Sequence, residues 1–222
     1  MNTENQDKTK QQKSALKKLK VIEQLKTFVP PGFEKMVADL IFAEPVSFKV
    51  VRPRNTKLGD FRAGMRGEKH QITVNGNLNH YSFLITTLHE FAHLKAFVKF
   101  KNSIKPHGEE WKTEFRNLLV PAIDMRLLPQ DIVNALVNSL VNMKASSCSD
   151  INLMRVLKNY DNKSNDRVFL ESLPHQSVFI LQGRKFIKGE LRRKRYLCQD
   201  LKSNKSYLVH ALSEVIHDLQ ND

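Results

Sequence analysis

Residues 89–93 read His-Glu-Phe-Ala-His and bring two imidazoles and a carboxylate close together in the chain. On a helix, His89 and His93 lie one turn apart on one face, so both rings can reach a single metal ion. Glu90 lies on the neighbouring flank. There it could take a proton from a water molecule at that ion without being a ligand itself. The spacing predicts a zinc site that hydrolyses peptide bonds.

The alternative interpretation of this pattern is a pair of core histidines satisfied by hydrogen bonds. A bare pair of histidines four residues apart would allow that interpretation. Glu90 argues against it, because an unpaired buried carboxylate between two buried histidines is costly. A further histidine nearby in the sequence, His107, strengthens the metal-site hypothesis.

A catalytic zinc ion usually takes three protein ligands and keeps its fourth position for water, so a third ligand is expected. One class of zinc proteases has a glycine three residues and a histidine six residues after the second histidine of the motif. Ala96 and Lys99 occupy these two positions, which excludes that class.

His107 is the stronger candidate for the third ligand. It lies between Pro106 and Gly108, at the start of a second predicted helix. Glu110 and Glu114 are the alternatives, because other zinc proteases use a glutamate on a following helix.

Two helices must hold these side chains. No glycine or proline occurs from residue 81 to residue 104, and Leu84, Leu88, Phe91 and Val98 recur at helical spacing. This pattern predicts one continuous buried helix that carries the motif. A second helix is predicted to run from Glu109 to Leu119 and to stop before a proline at position 121.

The motif and its surroundings resemble the SprT-like family of zinc metalloproteases, which includes the Spartan proteins that digest DNA-crosslinked proteins. His-Glu-x-x-His is followed by His-Gly-x-x-Trp at residues 107–111. Upstream, residues 56–59 resemble the Thr-x-x-Gly segment of the family. Residues 72–78 resemble its Ile-x-x-Asn-x-x-Leu strand and turn. The resemblance covers about residues 20–125.

Carried over to this chain, the resemblance implies that His89, His93 and His107 are the zinc ligands and that Glu90 is the catalytic base. Trp111 would be a packing residue behind the third ligand. The resemblance also implies DNA-associated or DNA-crosslinked proteins as substrates.

The chain departs from the family at two points. Leu58 stands where many members carry an aromatic residue before the glycine of Thr-x-x-Gly. The only cysteines are Cys148 and Cys198, so the paired cysteines of the zinc ribbon found in many bacterial members are absent. Two separate thiols cannot form a four-cysteine site, which argues against a second, structural zinc ion.

Composition and charge limit the cellular location and the kinds of partner that this chain can have. The 222 residues carry a net charge of +13, and the two cysteines lie 50 residues apart without a signal peptide. These features predict a cytoplasmic protein. No apolar run approaches the length of a membrane span. The strongly basic balance is typical of proteins that work close to nucleic acid, although a merely soluble basic protein would show it too.

The positive charge is concentrated in two places. Residues 1–20 hold six lysines and are predicted to be a flexible arm that becomes helical near Ala15. Near the other end, Arg192, Arg193, Lys194 and Arg195 are predicted to lie on a strand with basic groups on both faces. Such a strand could contact the phosphates of DNA without sequence preference. It could equally be a charged, solvated edge that blocks aggregation.

The remaining scaffold is predicted from periodicity and turn residues. Helices are expected at 19–28, 33–42, 131–143 and 151–160, and strands at 46–51, 61–63, 71–74, 178–181, 184–187, 190–201 and 206–210. Residues 161–166 are expected to be a polar linker.

These observations predict an α+β chain with four parts. They are a basic flexible arm (1–18), a zincin-like zinc metalloprotease domain (19–125), a helical connector and linker (126–166) and a small, basic, β-rich C-terminal module (167–222). The expected function is that of an endopeptidase with one Zn²⁺ per chain and protein or peptide substrates. The alternatives are a nucleic-acid-binding protein with a structural or vestigial metal site, and an interaction module built on the protease fold.

Overall fold

The computed structural model describes residues 2–54, 56–65, 67–101, 103–141, 150–161 and 166–218, with the backbone alone over 2–10. These residues form an α+β structure with six α-helices and two β-sheets. The chain divides into two units, residues 1–161 and 162–222. The α+β class predicted from the sequence is confirmed.

The described residues of the first unit form six helices and a three-stranded sheet. In chain order its elements are α1 (Asn2–Leu25), α2 (Glu34–Ala43), β1 (Val46–Val51), β2 (Gly59–Arg62), β3 (His70–Asn75), α3 (His80–Phe100), α4 (Glu109–Asp124), α5 (Gln130–Val141) and α6 (Ile151–Lys158). The sheet order is β1-β3-β2. The outer strands β1 and β2 pair with β3 in parallel and antiparallel orientation, respectively.

The helix α3 is the central element of the first unit. Asn79 caps its N-terminus by accepting a hydrogen bond from the backbone N–H of Ser82. Most of its side chains are buried, among them Leu84 and Leu88 in the core. The continuous buried helix predicted from the sequence is confirmed, and it ends at Phe100.

Several boundaries of the first unit differ from the sequence prediction. The helix α1 begins at Asn2 instead of near Ala15, since residues 2–25 lack Gly and Pro and are rich in good helix formers. The helix α4 runs through Pro121, which lies in its exposed last turn, where the lost N–H costs only one hydrogen bond. The strand β2 begins at Gly59, two residues earlier than predicted.

Residues 126–161 are part of the first unit rather than a connector. The helices α5 and α6 contribute Ile132, Leu136, Leu153 and Leu157 to the same hydrophobic core as α3. Their apolar faces are therefore buried against the unit that the sequence assigned to residues 19–125. Cys148 and residues 162–165 of the predicted linker lie outside the described residues.

The second unit contains a six-stranded sheet in the order β4-β9-β5-β6-β7-β8. Its strands are β4 (Val168–Phe169), β5 (Val178–Leu181), β6 (Arg184–Arg192), β7 (Arg195–Asp200), β8 (Ser206–His210) and β9 (Glu214–His217), and all neighbours pair antiparallel. One face packs a small core around Phe179, Phe186 and Cys198. The β-rich module predicted from the sequence has this structure, with β4 and β9 as additional strands.

The basic run Arg192–Arg195 forms a hairpin turn and not a single strand. Arg192 pairs with Arg195 across the end of β6 and β7, and Arg193 at the turn has a φ of 58°. A positive φ at the tip is what a two-residue hairpin requires. The prediction of one strand over residues 190–201 was therefore wrong, because charge patterning does not reveal where the chain reverses.

Within the part of the chain that the structure describes, none of the helices combines the length and the apolar character that crossing a membrane would require.

Candidate metal centre

The helix α3 presents His89 and His93 toward α4, one turn apart. Their Nε2 atoms are 3.2 Å apart. His89 is buried and His93 half-buried, so both rings are held by the surrounding core rather than projecting into solvent. The predicted placement of both rings on one helix face is confirmed.

His107 reaches the same point from the loop before α4. Its Nε2 lies 3.0 Å from that of His93 and 3.2 Å from that of His89. The residue has a φ of 58°, a left-handed backbone conformation that non-glycine residues adopt mostly where the surrounding structure imposes it. Gly108 follows as the N-cap of α4.

The three Nε2 atoms form a triangle with sides of 3.0–3.2 Å. A tetrahedral zinc ion with Zn–N bonds of about 2.0–2.1 Å separates its ligands by about 3.3–3.4 Å, close to this spacing. The three histidines could therefore hold one metal ion. Among the described residues, no fourth His, Cys, Asp or Glu belongs to this group. A site with three protein ligands leaves a position for water or substrate.

The two glutamates considered as third ligands are not part of this group. Glu114 is buried, and its Oε1 accepts a hydrogen bond from Nζ of Lys99 at 2.6 Å. Glu110 is exposed on the first turn of α4. The ion pair of Glu114 joins α4 to α3, so it stabilises the approach of the two elements that carry the histidines.

Trp111 and Phe115 of α4 pack against the cluster of three histidine rings. The Trp111 ring centroid lies 4.7 Å from those of His89 and His107 and 5.2 Å from that of His93. Trp111 also stacks on Phe115 at 5.0 Å. The packing role expected for Trp111 is what the structure shows.

Burial keeps the imidazoles neutral. It lowers the pKa of His89 to about 2 and that of His93 to about 4, with the neighbouring histidines adding to both effects. Burial also lowers the pKa of His107. A neutral imidazole is the form that binds a metal ion, so these side chains are ready to act as ligands without first losing a proton.

Glu90 lies against the sheet, beneath β2. The residue is 6% exposed. A β-carbon built on Gly59 would lie 2.5 Å from Oε1 of Glu90 and 2.8 Å from Cγ2 of Thr86, so β2 can cross α3 at this distance only with glycine there. The backbone N–H of Phe61 donates a hydrogen bond to the Glu90 carboxylate. The strand thus holds the carboxylate in place.

The protonation of Glu90 reflects opposing influences. Burial, and to a lesser extent the charge of Asp60, raises the pKa of Glu90 to about 8. The charges of Arg54 and Lys57 and the hydrogen bond from Phe61 act in the opposite direction.

The cations Arg192, Arg193, Lys194 and Arg195 lie in the second unit at the β6–β7 hairpin, whereas the three histidines lie in the first. Arg192, Arg193 and Arg195 are exposed and Lys194 is half-buried.

Two features of the site were missed by the sequence reasoning. These are the hydrogen bond from Phe61 to Glu90, and the bonds that Arg54 makes to the end of β3. The Thr-x-x-Gly and Ile-x-x-Asn-x-x-Leu segments were the available signal, because both features lie in or beside these segments.

Comparison of the chain with protein-family models, curated proteins and solved structures gave no significant match. The geometry of the site therefore carries the functional argument.

Proposed function

We propose that this protein is a zinc-dependent endopeptidase with a zincin-like fold, related to the SprT-like metalloproteases. The observation that carries the proposal is the convergence of His89, His93 and His107 on one point, with the buried carboxylate of Glu90 next to the first of them in the chain. A purely structural zinc site normally has four protein ligands and no need for such a carboxylate.

Zinc held by the three imidazoles would supply a Lewis acid that polarises the scissile carbonyl and lowers the pKa of water. Glu90 would accept the proton of the attacking water and return it to the leaving amine. The Phe61 N–H and the contact with Gly59 keep the carboxylate oriented during both transfers. Trp111 limits the mobility of the rings from below.

The strand β2 offers a place for the substrate. It is an outer strand of the three-stranded sheet, and no described strand pairs with its other edge. An extended peptide could add to this edge through main-chain hydrogen bonds, largely independently of its sequence. We therefore propose unfolded or extended protein segments as the substrate class.

The test compares the wild type with Glu90→Gln, both loaded with zinc, on a disordered protein substrate. Glutamine is nearly isosteric but cannot accept the proton, so cleavage should fall by roughly 10²- to 10⁴-fold while one zinc per chain is retained. Glu110→Gln, an exposed glutamate on α4, is the matched control and should cleave normally. Equal rates for Glu90→Gln and the wild type would exclude Glu90 as the base.

A second proposal concerns DNA. No ion pair is seen between the Arg192–Arg195 cations and the described acidic residues, so their charge is available to phosphates. DNA-associated proteins would then be the substrates.

If neither the wild type nor Glu90→Gln cleaves protein, with or without DNA, the better description is a nucleic-acid-binding protein with a structural or vestigial metal site. A cytoplasmic location stays a prediction from the cysteine content.

A further inference from the structure

Arg54, in the segment before β2, is held by two side chains of β3. Its Nε donates to Oδ1 of Asn75 at 2.9 Å, and its Nη1 donates to Oγ1 of Thr73 at 3.0 Å. Two donors of one planar guanidinium thus grip two acceptors that lie two residues apart on the strand, a geometry that lysine cannot reproduce.

Asn75 in turn donates hydrogen bonds back to the backbone of the segment that contains Arg54. Its Nδ2 donates to the backbone oxygens of Arg54 at 3.1 Å and of Lys57 at 3.0 Å. Its backbone N–H donates to the oxygen of Leu58 at 2.9 Å. Asn75 is 2% exposed, so these bonds form away from competing water. We call this set of bonds, which joins the side chains of Arg54, Thr73 and Asn75 and the backbone oxygens of Arg54, Lys57 and Leu58, the Arg54 clamp.

The segment held by the Arg54 clamp leads directly into the part of β2 that touches the catalytic carboxylate. Gly59 follows Leu58 and lies against Glu90, and Phe61 donates its N–H to the same carboxylate. A displacement of Leu58 would therefore be transmitted to Glu90 through only one to three residues of backbone.

The hydrogen bonds of the Arg54 clamp do not fully explain why residue 54 is an arginine. The Nη2 atom of Arg54 is buried and has no hydrogen-bond partner among the described residues. A buried unpaired N–H costs free energy, so an arginine here is not the most stabilising choice for the loop by itself.

We propose that Arg54 is a positioning residue for catalysis, which holds β2 against Glu90 through the Arg54 clamp. This inference rests on the proposed endopeptidase function. It assigns a physical role to the two upstream segments around Thr56–Gly59 and Ile72–Leu78, because the clamp joins one to the other.

The test uses Arg54→Lys, Arg54→Gln and Asn75→Ala in the full-length, zinc-loaded protein. Lysine keeps the charge but loses the two-pronged grip, whereas glutamine loses both. All three variants should lower kcat by about 10- to 100-fold, the scale expected for a misplaced catalytic group, with KM changed less than about twofold. Lys49→Gln is the matched control, since Lys49 is exposed on β1 and lies opposite Thr73 in register.

A second measurement does not depend on activity. Hydrogen exchange of the Phe61 amide reports whether β2 still contacts Glu90, and we expect at least tenfold faster exchange in Arg54→Gln and unchanged exchange in Lys49→Gln. This readout separates failure of the clamp from failure of the proposed function. If no protein is cleaved by the wild type but Phe61 responds as stated, the clamp stands and the endopeptidase proposal falls.

Three results would overturn the proposal. Normal kcat in Arg54→Lys would show that charge alone suffices. A loss of zinc and of melting temperature in proportion to kcat would show a merely structural role. Unchanged Phe61 exchange in both Arg54→Gln and Asn75→Ala would show that the clamp does not hold β2.

Discussion

Gly59 and Glu90 are in contact across the interface of β2 and α3, so closely that a β-carbon on Gly59 would lie 2.5 Å from Oε1 and 2.7 Å from Cγ of Glu90. The strand that supplies the Phe61 N–H can therefore approach the carboxylate only because residue 59 has no side chain. This contact connects a glycine in the sequence to the orientation of the proposed base.

Gly59→Ala should lower peptidase activity and stability together while the histidines still bind metal. The added methyl must push β2 or Glu90 aside, and overpacking of this kind costs about 1–3 kcal/mol. Chemical denaturation and zinc content measure the two effects. In a Glu90→Ala background, where the obstructing side chain is gone, the same change should cost less. An equal cost in both backgrounds would contradict the contact.

His107→Ala should lower zinc affinity strongly, because only two imidazoles remain at the centre. Titration with a competing chelator measures the affinity of the metal. Glu110→Ala and Glu114→Ala are the controls and should keep one zinc per chain, although Glu114→Ala removes the ion pair with Lys99 and should melt at a lower temperature. Unchanged zinc affinity in His107→Ala would exclude His107 as a ligand.

The stability of the metal-free protein should depend on pH through the buried histidines, most clearly in Glu90→Gln. Burial lowers the pKa of His93 to about 4 and that of His89 to about 2, whereas the unfolded chain takes up protons near 6.5. The unfolded state thus binds more protons below pH 6.5. The free energy of unfolding should fall by up to about 1.4 kcal/mol per pH unit for each histidine as the pH drops from 6.5 to 4.

The wild type should show a second dependence with the opposite sign. Burial raises the pKa of Glu90 to about 8 from an ordinary 4.5, so the folded state binds the extra proton between these values. Stability should then decline as pH rises from 4.5 to 8, and Glu90→Gln should remove this decline. Urea denaturation of both metal-free proteins from pH 4 to pH 8 measures the difference, and identical profiles would contradict it.

Arg193→Ala/Arg195→Ala should weaken DNA binding if the β6–β7 hairpin contacts phosphates. The slope of log affinity against log salt should decrease by roughly 0.7 to 0.9 per lost contact, depending on strandedness. Salt titrations with single- and double-stranded oligonucleotides measure it. Lys202→Ala/Lys205→Ala, which changes the net charge equally at exposed positions, is the control, and a chain lacking residues 1–20 tests the basic N-terminal segment. Undetectable binding at low salt would end the DNA proposal alone.

The sequence by itself determined the part of the site that depends on local geometry. Four-residue spacing puts His89 and His93 on one face of any helix, and the apolar positions around them require that helix to be buried. Pro106 and Gly108 likewise indicated that a new helix begins just after His107. These conclusions need only the period of an α-helix and the known preferences for its ends.

Only the tertiary structure decided how separate segments approach one another. The choice of His107 over Glu114 as the third ligand depends on the packing of α4 on α3. There Lys99 forms an ion pair with Glu114, and Trp111 packs against the His107 ring. The contact of Gly59 with Glu90 and the grip of Arg54 on β3 depend on strand register. The hairpin at Arg193 depends on a backbone torsion. Such distances arise from the simultaneous packing of elements far apart in the chain, which no local pattern of residue types encodes.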